Sequence, residues 1–491
     1  MSEQELGRRA FVVRQSAALM LAAASRYAIA ASDPPAHGPR QDTGLRIGEV
    51  TADSAVIWTR LTARGDRNSD GLLIPGRANG KGADQLAKVT VPADDLEGAC
   101  PPADGRIRLR YGLKPDLSDA VSTDWVDVTA QDDAIHKFIL RNLAPDATYH
   151  LISQTTGPDG DPPHAGVGGN FRTAPRQDAI SDIRFCVMTC QGYPDRGHPD
   201  GHAIYPSMQA VEPRFACLTG DLIYLDNDEP RAVTPRLARY HWERMFSLPR
   251  LLAFTANIPT YWLCDDHDIL NNDSWPGRTM GPLTFAEGEA IFRAQAPMPD
   301  TGPSYRTFRW GRDLQIWLTE GRTYRSPNTA PDDDRKTILG DEQKAWLKST
   351  LQASDATWKI LVSPTPIVGP DRKNKHDNHA NEAFEREGDE LREWFAKHLP
   401  KGFVVICGDR HWQYHSVHPD TGLNEFCPGA ASDEHAGGSP GQNPKVHRFH
   451  RQKGGFIVVD VVRRAGMPCL HIEHRDVDGH VVYHFQCDRA S

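Results

Sequence analysis

Residues 214–224 have the sequence Arg-Phe-Ala-Cys-Leu-Thr-Gly-Asp-Leu-Ile-Tyr, in which a short apolar run is followed at once by Gly-Asp and a tyrosine. Apolar runs that end in polar or glycine-rich loops recur in the second part of the chain, at Ile183–Met188, Arg214–Leu218, Pro259–Leu263, Leu314–Leu318, Lys359–Val362 and Phe403–Ile406. Continuous apolar strands are typical of sheets that are covered on both faces. Helices are predicted at Arg236–Phe246, Glu287–Ala296, Asp341–Gln352 and Asn381–His398. We therefore predict a layered α/β domain over residues 180–491.

The first third of the chain has a different pattern, in which apolar and polar residues alternate over short runs. The runs, each bounded by Gly, Pro, Asp or Asn, are Ala55–Trp58, Ile107–Tyr111, Lys137–Leu140 and Tyr149–Ile152. They predict a fibronectin type III or immunoglobulin-like β-sandwich over residues 42–175. Residues 143–149 are similar to the stretch of fibronectin type III domains in which a tyrosine locks the corner of the sheet. The polar segment 65–105 predicts a long loop inserted between strands.

Residues 1–31 have the layout of an export signal. Three arginines within the first 14 residues precede an Ala/Leu-rich run at 17–24. The sequence Arg-Arg-Ala-Phe-Val at 8–12 is similar to twin-arginine signals. We therefore expect export by the twin-arginine machinery and a periplasmic or secreted product; the alternative is an uncleaved amphipathic N-terminus. No apolar run reaches the roughly 18 residues of a membrane span, so no transmembrane anchor is expected.

The composition excludes several classes of protein. A chain of 491 residues predicts two or three domains. It carries 56 basic and 65 acidic residues, a net charge of -9, which argues against a nucleic acid as binding partner. The four arginines and two glutamates of residues 1–31 give that segment a charge of +2, so its removal would leave -11. Nine cysteines are too few for a disulfide scaffold, and their odd number leaves at least one thiol unpaired.

Residues that can bind metals or move protons follow four of the predicted strands. They are Cys190 after the first strand, Asp221 and Tyr224 after the second, Asp266 and His267 after the third, and Asp409 and His411 after the last. Ligands gather at the carboxyl ends of strands in α/β sheets. We therefore expect these side chains to converge on one site.

The order of the four motifs, Cys-Gln, Gly-Asp-x-Ile-Tyr, Asp-Asp-His-Asp and Gly-Asp-x-His, resembles that of the PhoD-like alkaline phosphatases (the alkaline phosphatase D family). These are calcineurin-like metallophosphoesterases related to purple acid phosphatases. The resemblance covers most of the chain and implies a ferric ion (Fe3+) with calcium (Ca2+) beside it. By position, it implies that the iron is held by Cys190, Asp221, Tyr224 and His411. It implies that Asp221 bridges to a second metal completed by Asp266 and Asp409, with Asn271 as an outer ligand.

The chemistry of the donor atoms agrees with this implication. Thiolate and phenolate suit trivalent iron, and carboxylate oxygens suit calcium. Two metals about 3.5–4 Å apart can bind the phosphoryl oxygens and generate a hydroxide for attack on a phosphate ester. His267 is expected to protonate the leaving alkoxide or to stabilise charge in the transition state. For Asp268 two roles remain open, orientation of that imidazole and a solvent-facing carboxylate.

Two features depart from the usual pattern or add to it. Many metallophosphoesterases have a histidine ligand after the strand that here occupies residues 360–366, where no histidine is present. Water, substrate or a carboxylate must fill that position, which favours an arrangement of the calcium type. The polar loop at 373–381 offers Lys375 and His379 as substrate-binding residues; the alternative is a solvated loop before the next helix.

The sequence therefore predicts an exported metal-dependent phosphoesterase that acts on phosphate monoesters, diesters or both. Activity of the phospholipase D type, on a phospholipid substrate, is an alternative within the same chemistry. A secreted binding protein with an inactive catalytic domain is an alternative of another class. The complete set of motif residues argues against the last, because an inactive domain does not need them all. The pattern indicates nothing about the oligomeric state.

Overall fold

A computed structural model of the chain describes residues 39–77, 89, 91–160, 163–399 and 401–488. The export signal predicted at 1–31 lies outside these residues. Within the described ranges, no helix has the length and apolar character needed to cross a membrane. All nine cysteines fall within the described ranges, and all are free thiols.

The N-terminal region is a β-sandwich. Its strands are β1 (Leu45–Gly48), β2 (Ser54–Arg60), β3 (Gly105–Gly112), β4 (Val121–Ser122), β5 (Val126–Val128), β6 (Ile135–Arg141), β7 (Thr148–Thr156) and β8 (His164–Arg172). Strands β1, β2 and β6 form one side, and the other has the order β4-β3-β7-β8 with β5 also paired to β3. The Ala144 N–H donates to the Tyr149 hydroxyl at 2.8 Å, which is the hydrogen bond of a tyrosine corner.

The rest of the chain alternates strands and helices. Its strands are β9 (Ile183–Met188), β10 (Phe215–Leu218), β11 (Thr260–Trp262), β12 (Thr279–Met280), β13 (Leu283–Thr284), β14 (Arg306–Trp310), β15 (Leu314–Leu318), β16 (Trp358–Ser363), β17 (Phe403–Cys407), β18 (Gln413–Val417), β19 (Asn424–Pro428), β20 (His447–Arg451), β21 (Phe456–Arg464), β22 (Met467–Arg475) and β23 (Val481–Asp488). Its α-helices are α1 (Ile204–Ala210), α2 (Pro235–Phe246), α3 (Pro249–Thr255), α4 (Asp266–Ile269), α5 (Phe285–Gln295), α6 (Gly340–Ala353) and α7 (Glu385–His398). Short 3-10 helices lie at Ala93–Asp95, Ala130–Asp132 and Glu382–Phe384.

These elements form two stacked sheets with helices on both outer faces. One sheet has the order β23-β22-β21-β9-β10-β11-β1-β2-β6 and the other β14-β15-β16-β17-β19-β18-β20. Side chains alternate between two cores: Phe185 and Val187 of β9 pack between the sheets, and Cys186 and Met188 pack under the outer helices. Both faces of β9 are buried from Phe185 to Met188, and its sequence is apolar there, whereas Arg184 near its start is exposed. The predicted fold class, a β-sandwich followed by a layered α/β domain, is confirmed.

The sandwich and the layered domain share one sheet. Strand β1 pairs in parallel with β11 through Gly48 and Thr260, and the Glu49 N–H donates to the Thr260 carbonyl at 3.4 Å. The buried Arg46 guanidinium also donates to the Gln295 carbonyl at 2.6 Å. The sandwich therefore shares a sheet with the α/β domain, whereas the sequence analysis placed a boundary between them near residues 175–180.

Most predicted elements are present, but some begin or end at other residues than predicted, and in α5 a helix cap sets the start. Helix α5 begins at Phe285, two residues before the predicted start. Its first turn is closed by a capping box, in which Thr284 accepts from the Glu287 N–H and Glu287 accepts from the Thr284 N–H. Such reciprocal capping satisfies donors that the helix leaves free.

Candidate metal centre

Three predicted metal ligands adopt a left-handed backbone where their strands end. The φ angles of Cys190, Asp221 and Asp409 are 52°, 54° and 60°. This region is disfavoured for residues with a side chain, more so for cysteine than for aspartate. Gly220, which precedes Asp221, has no room for a side chain, because a Cβ would lie 2.6 Å from the Asp265 Cβ. Strained backbone of this kind is concentrated at functional sites.

The first cluster contains the four residues that the sequence assigned to iron. Cys190 Sγ lies 3.5 Å from Asp221 Oδ2, and the Tyr224 hydroxyl lies 3.2 Å from the same oxygen. His411 Nε2 is 3.1 Å from the Tyr224 hydroxyl. The structure therefore brings together a thiol, a carboxylate, a phenol and an imidazole from three different strand ends.

The second cluster consists of carboxylates around Asp221. Ligand atoms of Asp221, Asp266 and His267 lie within 4.8 Å of one another, and so do those of Asp221, Asp265 and Asp409. The sequence analysis assigned Asp266 and Asp409 to the second metal, and the structure adds Asp265 beside Asp221 and Asp409. Asp265 is the N-cap of α4, and the Asp266 carboxylate accepts from the backbone of His267 and Asp273.

Several buried oxygens of this region are available as ligands for a cation. Among the described residues, Asp221 Oδ1, Asp265 Oδ2 and Asn271 Oδ1 are buried and have no hydrogen-bond partner. Burial raises the pKa of the Asp221 carboxyl well above its usual range, and the carboxylates beside it add to this effect although His267 opposes it. Burial and the neighbouring Asp221 likewise raise the pKa of the Cys190 thiol. Such acids become anions readily only when cations are bound.

His267 has a carboxylate partner that the sequence analysis missed. Its Nδ1 lies 2.5 Å from Asp226 Oδ1, and both side chains are buried. Burial alone would lower the pKa of His267, but Asp226, Asp266 and Asp221 outweigh burial and raise it well above its usual value. The ring also packs on Tyr224, with centroids 4.4 Å apart. Asp226 therefore holds Nδ1 of His267 and leaves Nε2 for other contacts.

Asp268 takes neither of the roles left open for it, because it is fully buried and its carboxylate binds backbone. It accepts hydrogen bonds from the N–H groups of Asp221 at 2.8 Å, Leu222 at 2.7 Å, Ile223 at 3.2 Å and Asp265 at 2.9 Å. Asp268 thus fixes the loop that carries Asp221. The imidazole is oriented instead by its contact with Asp226, which lies five residues beyond Asp221 in the same loop.

The two predicted substrate-binding residues have different surroundings. The buried Lys375 ammonium contacts Asp273 and lies 3.4 Å from Asp377 Oδ2. Oxygens of these two aspartates and of Asp266 lie within 4.8 Å of one another, so Lys375 is at the edge of the cluster but is bound to carboxylates. His379 Nε2 is 2.9 Å from Glu387 Oε2, and both side chains are buried. The prediction for His379 is therefore corrected, because its ring is hydrogen-bonded to Glu387 of α7.

His435 is a further site residue that the sequence analysis missed. Its Nε2 lies 2.8 Å from the Tyr224 hydroxyl, and its ring centroid is 4.4 Å from that of His411. The only available signal was its position in a polar loop, seven residues beyond the end of β19, a strand that the sequence analysis did not predict. Many loops share that property.

Comparisons with known proteins agree on one family and one fold. The family model for PhoD-like phosphatase matches residues 185–458. Alkaline phosphatase D of Bacillus subtilis (strain 168) is 24% identical over 362 residues, which cover 65% of this chain and 54% of the relative. The match thus spans about half the length of that relative.

Two solved structures are similar in fold. The structure of PhoD has a TM-score of 0.69 at 16% identity and covers 93% of this chain and 90% of its own. Purple acid phosphatase PPD1 from yellow lupin (Lupinus luteus) seeds has a TM-score of 0.61 at 12% identity, with 91% and 74% covered. At these identities the likeness concerns the fold.

Proposed function

The chain belongs to the PhoD-like phosphatase family, and from that premise we propose that it is a metal-dependent phosphoesterase that hydrolyses phosphate monoesters, diesters or both. The observation that carries this proposal is the convergence of Cys190, Asp221, Tyr224 and His411 beside a second group of carboxylates. A donor set with a thiolate and a phenolate suits a transition metal, and the all-oxygen set beside it suits a hard cation, so the site suits two different metals.

The residues would divide into two ligand sets. Thiolate, phenolate, carboxylate and imidazole of the first cluster would hold Fe3+. Ca2+ prefers oxygen ligands. These would come from the carboxylates of Asp221, Asp265, Asp266 and Asp409 and from the side-chain oxygen Oδ1 of Asn271. When bound, such cations lower the pKa of a water and neutralise charge on a phosphoryl group.

His267 would act on the leaving group. Its Nδ1 is held by Asp226, so Nε2 is the nitrogen that can give a proton to an alkoxide. The surrounding carboxylates raise the pKa of the imidazole and so favour its protonated form. Proton donation by a positioned side chain contributes roughly 100- to 10,000-fold to a rate.

We also propose that the protein is exported. Support comes from residues 1–31, where paired arginines precede an apolar run. Export in the folded state would allow metals to be loaded in the cytoplasm before release into the periplasm or the medium. Substitution of Arg8 and Arg9 by lysine should retain the protein in the cytoplasm, and export of that variant at the wild-type level would contradict this route.

The test of activity is a substrate panel on the purified protein. We expect release of p-nitrophenol from p-nitrophenyl phosphate, from its bis ester or from both, loss of activity in a chelator and recovery when calcium is returned. A phospholipid that loses only its head group would indicate the phospholipase D type. Absence of turnover on every ester, with metals bound, would refute the proposed function and favour a binding protein.

The ligand assignment has its own signature. A tyrosinate bound to Fe3+ gives a visible charge-transfer band, so the protein should be coloured and Tyr224→Phe should lose the band. An active enzyme without iron would refute the assignment of the first cluster.

A further inference from the structure

The insertion between β2 and β3 reaches the candidate metal centre. Residue Arg77 of this insertion forms a backbone bridge with Asp228, and the Glu229 N–H donates to the Gly76 carbonyl at 3.3 Å. Asp228 lies four residues after Tyr224. Backbone from the N-terminal region is therefore attached to the loop that carries a predicted metal ligand.

The Arg77 side chain ends in a small polar group beside that loop. Its guanidinium contacts both Asp195 and His435, and His435 Nδ1 lies 2.8 Å from Asp195 Oδ2. The three side chains meet over Gly192, where a Cβ would lie 2.6 Å from Arg77 Nη2 and 2.8 Å from both Asp195 Oδ2 and His435 Nδ1. Residue 192 must therefore lack a side chain for this arrangement to form.

The opposite edge of the His435 ring faces Tyr224. His435 Nε2 is 2.8 Å from the Tyr224 hydroxyl, and the ring centroids are 4.9 Å apart. The Arg77 guanidinium carbon also lies 5.7 Å from the centre of the Tyr224 ring. The imidazole is thus fixed on one edge by two charged groups and contacts the phenol oxygen with the other.

We propose that Arg77, Asp195 and His435 form a positioning triad through which the insertion of the N-terminal sandwich fixes the phenol oxygen of Tyr224. The inference rests on the proposed function, in which that oxygen binds a metal. Partners of this kind around a ligand typically change metal affinity or activity 10- to 100-fold when removed. The N-terminal region then contributes to the centre itself.

A second contact indicates that the insertion is built to hold this part of the site. The Arg67 guanidinium donates to Glu97 Oε1 at 2.9 Å, and the Tyr193 hydroxyl donates to the same carboxylate. Tyr193 lies between Cys190 and Asp195 in the chain. The loop after β9 is therefore braced by the insertion at two points.

The experiment uses four variants. Three are single substitutions, Arg77→Met, Arg77→Lys and His435→Gln, and the fourth combines Arg77→Met and His435→Gln in one chain. Arg64→Met is the matched control, because Arg64 is an exposed arginine of the same insertion. The readouts are metal retained per chain after dialysis against a weak chelator, the visible spectrum, and kcat and KM separately. Near-ultraviolet circular dichroism identifies variants that have not folded.

We expect Arg77→Met and His435→Gln each to lower metal retention and kcat about 10-fold, with KM within about 2-fold, and Arg77→Lys to recover part of the loss. The double variant should lose no more than the worse single variant, because residues of one chain of contacts are not additive. Additive losses, or wild-type retention in folded His435→Gln, would overturn the triad.

The two proposals fail in different ways. A wild-type protein that retains metal but cleaves no phosphate ester would refute the proposed function, and metal retention in the variants would still decide the triad. If Arg77→Met does not fold, Arg77→Lys and His435→Gln carry the comparison. A wild-type protein that binds no metal would contradict the ligand role of Tyr224 and with it this inference.

Discussion

Asp226 Oδ1 lies 2.5 Å from Nδ1 of His267, and the two side chains are buried beside the candidate metal centre. The carboxylate fixes the orientation of the ring and favours its protonated form. A buried imidazole without such a partner would instead lose its proton more easily. In the proposed reaction, Asp226 would therefore act as a positioning residue through His267.

We predict that Asp226→Asn lowers kcat about 10- to 100-fold and leaves metal content unchanged. The amide keeps the shape of the side chain but removes the negative charge that holds the imidazolium. Steady-state kinetics and elemental analysis on the same preparation provide the measurement. Asp182→Asn, at an exposed position, is the matched control; loss of metal in Asp226→Asn would instead indicate a ligand role.

Asp268→Asn should destabilise the protein rather than change proton transfer. The buried carboxylate accepts from four backbone N–H groups, and an amide group cannot accept all of them. A buried donor without a partner costs about 1–3 kcal/mol, so we expect a loss of at least that size in chemical denaturation. Asp420→Asn, which is exposed, should leave stability unchanged. Wild-type stability together with a changed pH profile would return Asp268 to the role of orienting His267.

Lys375→Met should make the thermal stability of the protein depend on added calcium. Its ammonium contacts Asp273 and Asp377 beside Asp266, so removal takes away one counter-ion of this cluster. Because Arg322 remains 3.4 Å from Asp377 Oδ2, we expect a cost below the roughly 3–5 kcal/mol of a buried charge left without any partner. We predict a lower Tm that added calcium raises by more than it raises the wild-type Tm. Lys373→Met, at an exposed position of the same loop, should behave like wild type. An unchanged Tm with a raised KM would support direct substrate binding by Lys375.

The contact between His379 and Glu387 predicts a pH dependence of stability. Burial alone would raise the pKa of Glu387, but the hydrogen bond and charge of His379, with the Ile338 N–H and the Thr337 hydroxyl, lower it from 4.5 to about 2. A carboxyl with a lowered folded pKa stabilises the protein above the unfolded value and loses that contribution as the pH falls through the folded value.

Glu387→Gln should therefore be less stable than wild type at pH 6, and the difference should shrink between pH 4.5 and about 2. Denaturation curves across this range, with exposed Glu393→Gln as control, measure it. KM should not change in Glu387→Gln or His379→Ala. A raised KM in His379→Ala at full stability would speak for a substrate contact.

Features that depend on local sequence could be predicted. Strand β9 was identified at its observed ends, because five of its six residues are apolar, as is typical of a strand that is buried on both faces. Cys190, Asp221 and Tyr224 follow directly from such strands, so their convergence was also expected.

Features that depend on distant parts of the chain could not be predicted in the same way. Whether Asp268 faces His267 or the backbone of Asp221 depends on the packing of two loops. His435 and Arg77 reach Tyr224 from positions 211 residues after it and 147 residues before it. No pattern of spacing links them.

The pairing of β1 with β11 has a consequence for any attempt to separate the two regions. Without residues 39–175, β11 would become an edge strand with unpaired N–H and C=O groups on one side. Exposed edges of this kind promote pairing between molecules. A shortened chain that begins at residue 180 should therefore self-associate, and we expect the two regions to fold as one unit rather than as exchangeable modules.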